Sequence, residues 1–175
     1  MKLNWKSIWN WTIPLIMVLG IVFSGVKLGI GFYYKTNDKL DIHETKIKDL
    51  EINTIIATES RGFIFGSIIA YALKVGFVPL RKPGKLPWKT IKKEFKTEYS
   101  TDCFEIHIDA VKKGDKCLIV DDIIATGGSA KAACDLVEEL NGNVVGVLSL
   151  TTLTFLGGEE KLKKYPLYTL IREEN

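Results

Sequence analysis

The sequence predicts an α/β fold in which a mostly parallel central sheet is flanked by helices. Three observations carry this. Short β-branched runs alternate with helix-spaced stretches from residue 51 onward. The apolar run Leu118–Val120 ends abruptly in two acids and a Gly-rich turn, the pattern of a buried strand leading into a helix. The chain has 175 residues, 46% apolar and 26% charged, which suits one such domain and is cramped for two.

Lys39–Leu50 has loose helical spacing and approaches the first strand. Thr54–Thr58 reads as that strand, Phe63–Lys74 as a helix, Phe77–Leu80 and Cys103–Ile108 as strands. Lys116–Val120 follows as a strand, and Ser129–Leu140 as a helix that closes at Asn141 and Gly142. Val144–Leu150 and the short Pro166–Ile171 complete the strands. Strands alternating with helices call for parallel pairing with both faces of the sheet covered.

Asp121 and Asp122 stand at a strand's carboxyl end, where open α/β sheets bind ligands. Ala125, Thr126, Gly127, Gly128 and Ser129 then form a turn of small residues whose N–H groups can converge on a phosphate. The hydroxyls of Thr126 and Ser129 add donors. Two carboxylates beside such a cradle repel a bare phosphate, so they are expected to face ribose hydroxyls or a magnesium ion held by the ligand. Glu59, Ser60, Arg61 and Gly62 follow the strand Thr54–Thr58 in the same way, so their loop can share the cleft. Arg61 offers a planar multidentate donor for phosphate, and Gly62 lets a backbone come close. Alone, the segment is equally an ordinary helix start, capped by Glu59 and Ser60 with Arg61 in solvent.

Between Arg81 and Lys96, seven basic residues (Arg81, Lys82, Lys85, Lys89, Lys92, Lys93, Lys96) accompany one acid, Glu94. Pro83, Gly84 and Pro87 break regular structure, so the first half is expected to be a loop. Most such runs are solvated surface, and one containing Trp88 can also mean nucleic acid. Its place after a strand favours a mobile lid over a polyanionic substrate. A net charge of +3 gives no wider argument for nucleic acid. Cys103, Cys117 and Cys134 are odd in number and not clustered, as reduced thiols in a cytosolic setting would be, the latter two as packing residues. His43 and His107 lack ligand-like neighbours, and no zinc site is expected.

The stretch CLIVDDIIATGGS, Cys117–Ser129, resembles position for position the phosphoribosyl pyrophosphate (PRPP) signature of the type I phosphoribosyltransferase fold. With ESRGFIFG (Glu59–Gly66), FVPLRKPGKLP (Phe77–Pro87) and EYSTDCFEIH (Glu98–His107), it is similar in order and spacing to the adenine phosphoribosyltransferase family over about Lys48 to Ile171. Orotate, xanthine and hypoxanthine relatives share the signature without this combination. The resemblance implies purine salvage: adenine and PRPP as substrates, AMP and pyrophosphate as products, with Mg²⁺ bridging PRPP oxygens. It implies that Asp121 and Asp122 hold the ribose hydroxyls, directly or through the metal, and that Ala125–Ser129 surround the 5′-phosphate. Glu59, Ser60, Arg61 and Gly62, with Arg81, Lys82 and Lys85, would then bind pyrophosphate. Some of these basic residues act across a dimer interface in relatives, which implies a homodimer. Glu98, a surface acid on its own merits, matches the lid carboxylate that serves the purine as general acid/base. Bond breaking at the anomeric carbon is expected to run ahead of attack by the base nitrogen, so carboxylates and electropositive lid groups stabilise opposite ends of the transition state.

The N-terminus does not fit. Ile8–Tyr34 holds one charge, Lys27, and is long enough to cross a bilayer, which reads as a membrane anchor. Lys2 and Lys6 before it resemble the start of a signal sequence, but no small-residue cleavage site follows; Lys35 and Lys39 beyond it leave the orientation undetermined. The same residues also read as a degenerate hood over the purine. Gly20–Phe23 is the family's GIVF, whereas Ser24, Gly25 and Val26 stand where Arg-Asp-Ile is expected. The expected organisation is residues 1–35 as an apolar segment, anchor or hood rewritten as an apolar helix, and residues 36–175 as a cytoplasmic phosphoribosyltransferase domain. Retained Arg61, Glu98 and lid lysines favour an enzyme; the absent hood arginine favours the alternative, a weakened PRPP- or nucleotide-binding regulatory module. In LGGEEKL, Leu156–Leu162, Glu159 replaces a usual basic residue, read as touching only a peripheral helix start.

Overall fold

The computed structural model describes residues 47, 49–96 and 100–174. The segment 1–35 and Glu98 lie outside the described residues, and so does His43. β1 (Thr54–Thr58) is buried at all five positions, as a central parallel strand must be. It leads through α1 (Gly62–Leu73) to β2 (Gly76–Leu80), which pairs with it in parallel. α1 stops at Lys74, which turns left-handed at φ 56°, and Val75 N–H closes the end on Ala70 O at 3.0 Å.

β3 (Thr90–Lys96) and β4 (Thr101–His107) form an antiparallel hairpin. β5 (Lys116–Ile124), α2 (Gly128–Glu139) and β6 (Asn143–Leu153) follow. Two 3₁₀ turns, Thr154–Leu156 and Gly158–Leu162, lead to β7 (Leu167–Glu173). The main sheet has the order β2-β1-β5-β6-β7 with every pairing parallel. Alternation along the strands divides the apolar side chains between its faces. Ile56, Ile119 and Val147 pack with the hairpin's Phe95 and Phe104 and with Ala133, Leu136 and Val137 of α2. Ile55, Leu118, Val120 and Leu148 pack with Ala70, Ile69 and Leu73 of α1.

One expectation changes and one strand is new. The strand expected at Cys103–Ile108 exists as β4, but it pairs with β3 outside the main sheet and reaches it through one bridge, Arg81 to Glu105. The second half of the basic segment, for which the sequence reading names no element, is a strand: Thr90–Lys96 pairs in full register with β4. Ile91 and Phe95 pack into the core on the same side, and Lys93 between them is neutralised by Asp135 of α2 at 3.7 Å. High charge concealed a period-2 strand.

Candidate active site

The strand order reverses between β1 and β5, so the loops leaving their carboxyl ends open into one cleft, the usual ligand site of such sheets. A cavity of about 340 Å³ lies there. Its walls are Thr58, Glu59 and Arg61 after β1, Asp121, Asp122, Ile123, Ala125, Thr126, Gly127 and Ser129 around the end of β5, and Lys82, Phe95, Lys96, Asp102 and Phe104 from the hairpin side. The structure thus brings together the two loops that the sequence singled out, about 60 residues apart in number and ~200 Å of chain apart if extended.

α2 is preceded by Gly127 at the N-cap, φ 71°, and no side chain caps it. Its first-turn N–H groups are therefore left to an anion, as the cradle requires. Ser129 does not add its hydroxyl to them here: Oγ donates to Asp121 Oδ2 at 3.2 Å. Asp121 is 7% exposed and also accepts the Asp122 N–H at 2.9 Å. Burial, with the neighbouring Asp122 charge, pushes its carboxyl up to about 6 against the pull of that N–H. Thr58 Oγ1, buried at the cavity wall, makes no hydrogen bond of normal geometry but lies near enough to Asp121 to favour its charged form.

Asp122 is paired with Arg61, whose Nε lies 2.7 Å from Oδ2. Arg61 thus pairs with Asp122 while its side chain stays 70% exposed, in keeping with a solvated helix start. Glu59 and Ser60 do not cap α1, which has no side-chain cap. Glu59 instead accepts from Arg81 Nε at 3.0 Å, from Lys82 N–H at 2.7 Å and from Lys85 Nζ. Burial pushes the Glu59 carboxyl up, but these donors outweigh it and hold it down at about 2. A carboxylate so placed organises a cationic cluster; it is not itself a phosphate ligand. The Glu59–Ser60 peptide bond is cis. Gly62 is required by the protein's own packing, since a Cβ there would lie 2.6 Å from Thr58 Oγ1 and 2.9 Å from Val120 O.

Sequence reasoning missed Asp102, which pairs with Lys82 Nζ. That ammonium also lies over the rings of Phe104 and Phe95, 5.0 and 5.4 Å from their centroids. The signal was available: Asp102 shares the inward face of β4 with Phe104 and Ile106, and an acid there needs a partner. The LGGEEKL turn is not peripheral either, because Gly158 abuts the cradle backbone at Ala125 and Gly127.

Among the described residues, no three side chains of metal-ligating type gather. Asp121 and Asp122 are two carboxylates at a cavity with room for ligand oxygens, the donor set that suits Mg²⁺ arriving on a phosphorylated substrate. Burial pushes the Cys117 and Cys134 thiols up to about 12, as inert packing residues require. His107 stacks on Trp88 with centroids 6.3 Å apart, away from the cavity lining.

The model of the phosphoribosyl transferase domain family matches residues 30–172. The chain is similar to the adenine phosphoribosyltransferase of Flavobacterium johnsoniae, with 45% identity over 152 residues that cover 87% of this chain and 89% of the relative. It is similar in structure to the adenine phosphoribosyltransferase of Thermoanaerobacter pseudethanolicus, TM-score 0.70 and 48% identity, over 79% of this chain and 83% of the other. It matches the Saccharomyces cerevisiae enzyme complexed with an imino-altritol bisphosphate and adenine at TM-score 0.70 and 46% identity, over 79% of each chain.

Proposed function

The chain belongs to the adenine phosphoribosyltransferases within the phosphoribosyl transferase domain family, and from that membership we propose how its own residues carry the reaction. It catalyses a step of purine salvage, transfer of the phosphoribosyl group from PRPP to adenine with release of pyrophosphate and formation of AMP. The observation that carries the residue assignment is one cavity with an uncapped helix N-terminus and two carboxylates on one wall and Lys82 and Lys96 on the other.

The N–H groups at the start of α2, with Thr126, hold the 5′-phosphate. Asp121 and Asp122 accept the ribose hydroxyls and face positive charge that develops on the ring as the anomeric bond breaks. Arg61, Arg81, Lys82 and Lys85 receive the charge that grows on departing pyrophosphate, with Glu59 and Asp102 setting where those cations stand. Glu98 takes the proton lost from adenine nitrogen. Asp121 or Asp122 would hold Mg²⁺ arriving with PRPP, and the ion would supply neutralisation of the diphosphate charge. A homodimer is part of this reading, supported by the exposed apolar side chains Ile64, Tyr71 and Phe77 on and beside α1. The catalytic domain is assigned to the cytoplasm, with membrane association through residues 8–34.

Conversion of radiolabelled adenine to AMP with PRPP and Mg²⁺ tests the assignment. The double variant Asp121→Asn, Asp122→Asn is expected to keep the fold and lose turnover; normal activity in it would refute the site.

A further inference from the structure

We propose that Gly158 is a positioning residue for the phosphate cradle, holding the Ala125–Gly127 backbone in its binding geometry by direct main-chain contact from the turn that follows β6. The inference rests on the reading of Ala125–Ser129 as the 5′-phosphate site. A Cβ at Gly158 would lie 2.2 Å from Ala125 O, 2.7 Å from Gly127 N and 2.9 Å from the Thr126 carbonyl carbon. The contact is reciprocal, because a Cβ at Gly127 would lie 2.3 Å from Gly158 O. Two stretches of backbone therefore touch with no side chain between them.

The turn that delivers Gly158 is itself firmly held. Leu162 is 1% exposed in the main core. Glu159 pairs with Arg172 of β7, and Glu160 N–H bonds Gly157 O at 3.2 Å. A cradle made of N–H groups binds through their fixed convergence, and it loses affinity when its backbone must shift to make room. Gly158 touches none of the ligand; it acts through Ala125 and Gly127. Its neighbour Gly157 serves as a control, since a Cβ there meets nothing within 4 Å although φ is +67°.

Dissociation constants for ribose 5-phosphate and for pyrophosphate, with steady-state kinetics, test this on the full chain. Gly158→Ala is expected to weaken ribose 5-phosphate and raise KM for PRPP by about tenfold, leaving pyrophosphate affinity and kcat within about twofold. Gly157→Ala, which strains the turn without entering the cradle, is expected to change neither ligand selectively. Unchanged ribose 5-phosphate affinity in folded Gly158→Ala, or equal loss of both ligands, overturns the proposal. Failure of the unaltered protein to bind ribose 5-phosphate refutes the cradle assignment instead. If the alanine prevents folding, the unaltered protein still decides: saturation with ribose 5-phosphate should shift the Gly158 amide resonance, pyrophosphate should not, and an unmoved resonance under both overturns the proposal.

Discussion

Asp121 and Glu59 are carboxyls displaced in opposite directions, and each displacement has a consequence in pH. Asp121 rises from an ordinary value of 3.8 to about 6, so the free protein binds its proton more tightly than the unfolded chain does. Its contribution to stability is complete below about pH 4 and is lost as pH climbs through 6. Urea midpoints should show that decline, and Asp121→Asn should flatten it. PRPP needs the ionised acceptor, so its affinity should fall about tenfold per unit below pH 6, with the Asn variant lacking that share of the slope. Glu59 lies at about 2, so its contribution is present above pH 4.5 and disappears as pH falls through 2. Glu59→Gln should cost about 1–3 kcal/mol at pH 7, and the gap from the unaltered protein should close at pH 2. The same variant should weaken pyrophosphate by about tenfold, because Arg81 and Lys85 lose the acceptor that sets their positions. An unchanged pyrophosphate constant would leave Glu59 a stability residue only.

The hairpin is the element that joins the lid cations to the sheet. Phe95 and Phe104 pack at 4.7 Å between centroids, underlie the Lys82 ammonium, and belong to the core shared with α2. Phe104→Ala should therefore cost about 3–5 kcal/mol, and also raise KM for PRPP, because the platform under Lys82 goes with it. A loss of stability with KM unchanged would separate the two roles. The hairpin also meets α2 at its start, where a Cβ on Gly128 would lie 2.3 Å from Lys96 O. Gly128 thus serves the closure of one element on another. Its small size was legible in the sequence and was attributed to the ligand, since the neighbour that needs the space is 32 residues away in the chain. β3 was obscured for a related reason: five of the seven residues of TIKKEFK are polar or charged, and strand pairing with β4 outweighed that local signal.

Across the molecule, what was legible was whatever is local. The strands of the main sheet and the Asp121–Ser129 loop announce themselves because strand, acids and cradle are contiguous, and the parallel sheet then brings Arg61 to Asp122. The Glu59–Arg81–Lys85 cluster and the Gly158 contact are made between segments with no sequence period in common, so only the folded chain reveals them. The proposed homodimer has its support in surface composition: Ile64 and Tyr71 are 57% and 82% exposed seven positions apart on α1. Ile64→Asp with Tyr71→Asp should convert a dimer to a monomer in light scattering, and an unaltered mass would move the interface elsewhere. The apolar run 8–34 makes the last whole-molecule prediction. Among the described residues, no helix is long and apolar enough to cross a membrane. The phosphate, ribose and pyrophosphate groups described above all lie at residue 58 or later. A chain shortened to begin at residue 36 should therefore bind PRPP within about threefold of the full chain, since no residue assigned to PRPP has been removed. If the run is an anchor, the full chain should sediment with lipid vesicles, the shortened chain should remain in the supernatant, and KM for adenine should be equal in both. A full chain that stays soluble without detergent, with a shortened chain that binds PRPP but loses adenine turnover, would assign the run to the hood over the base.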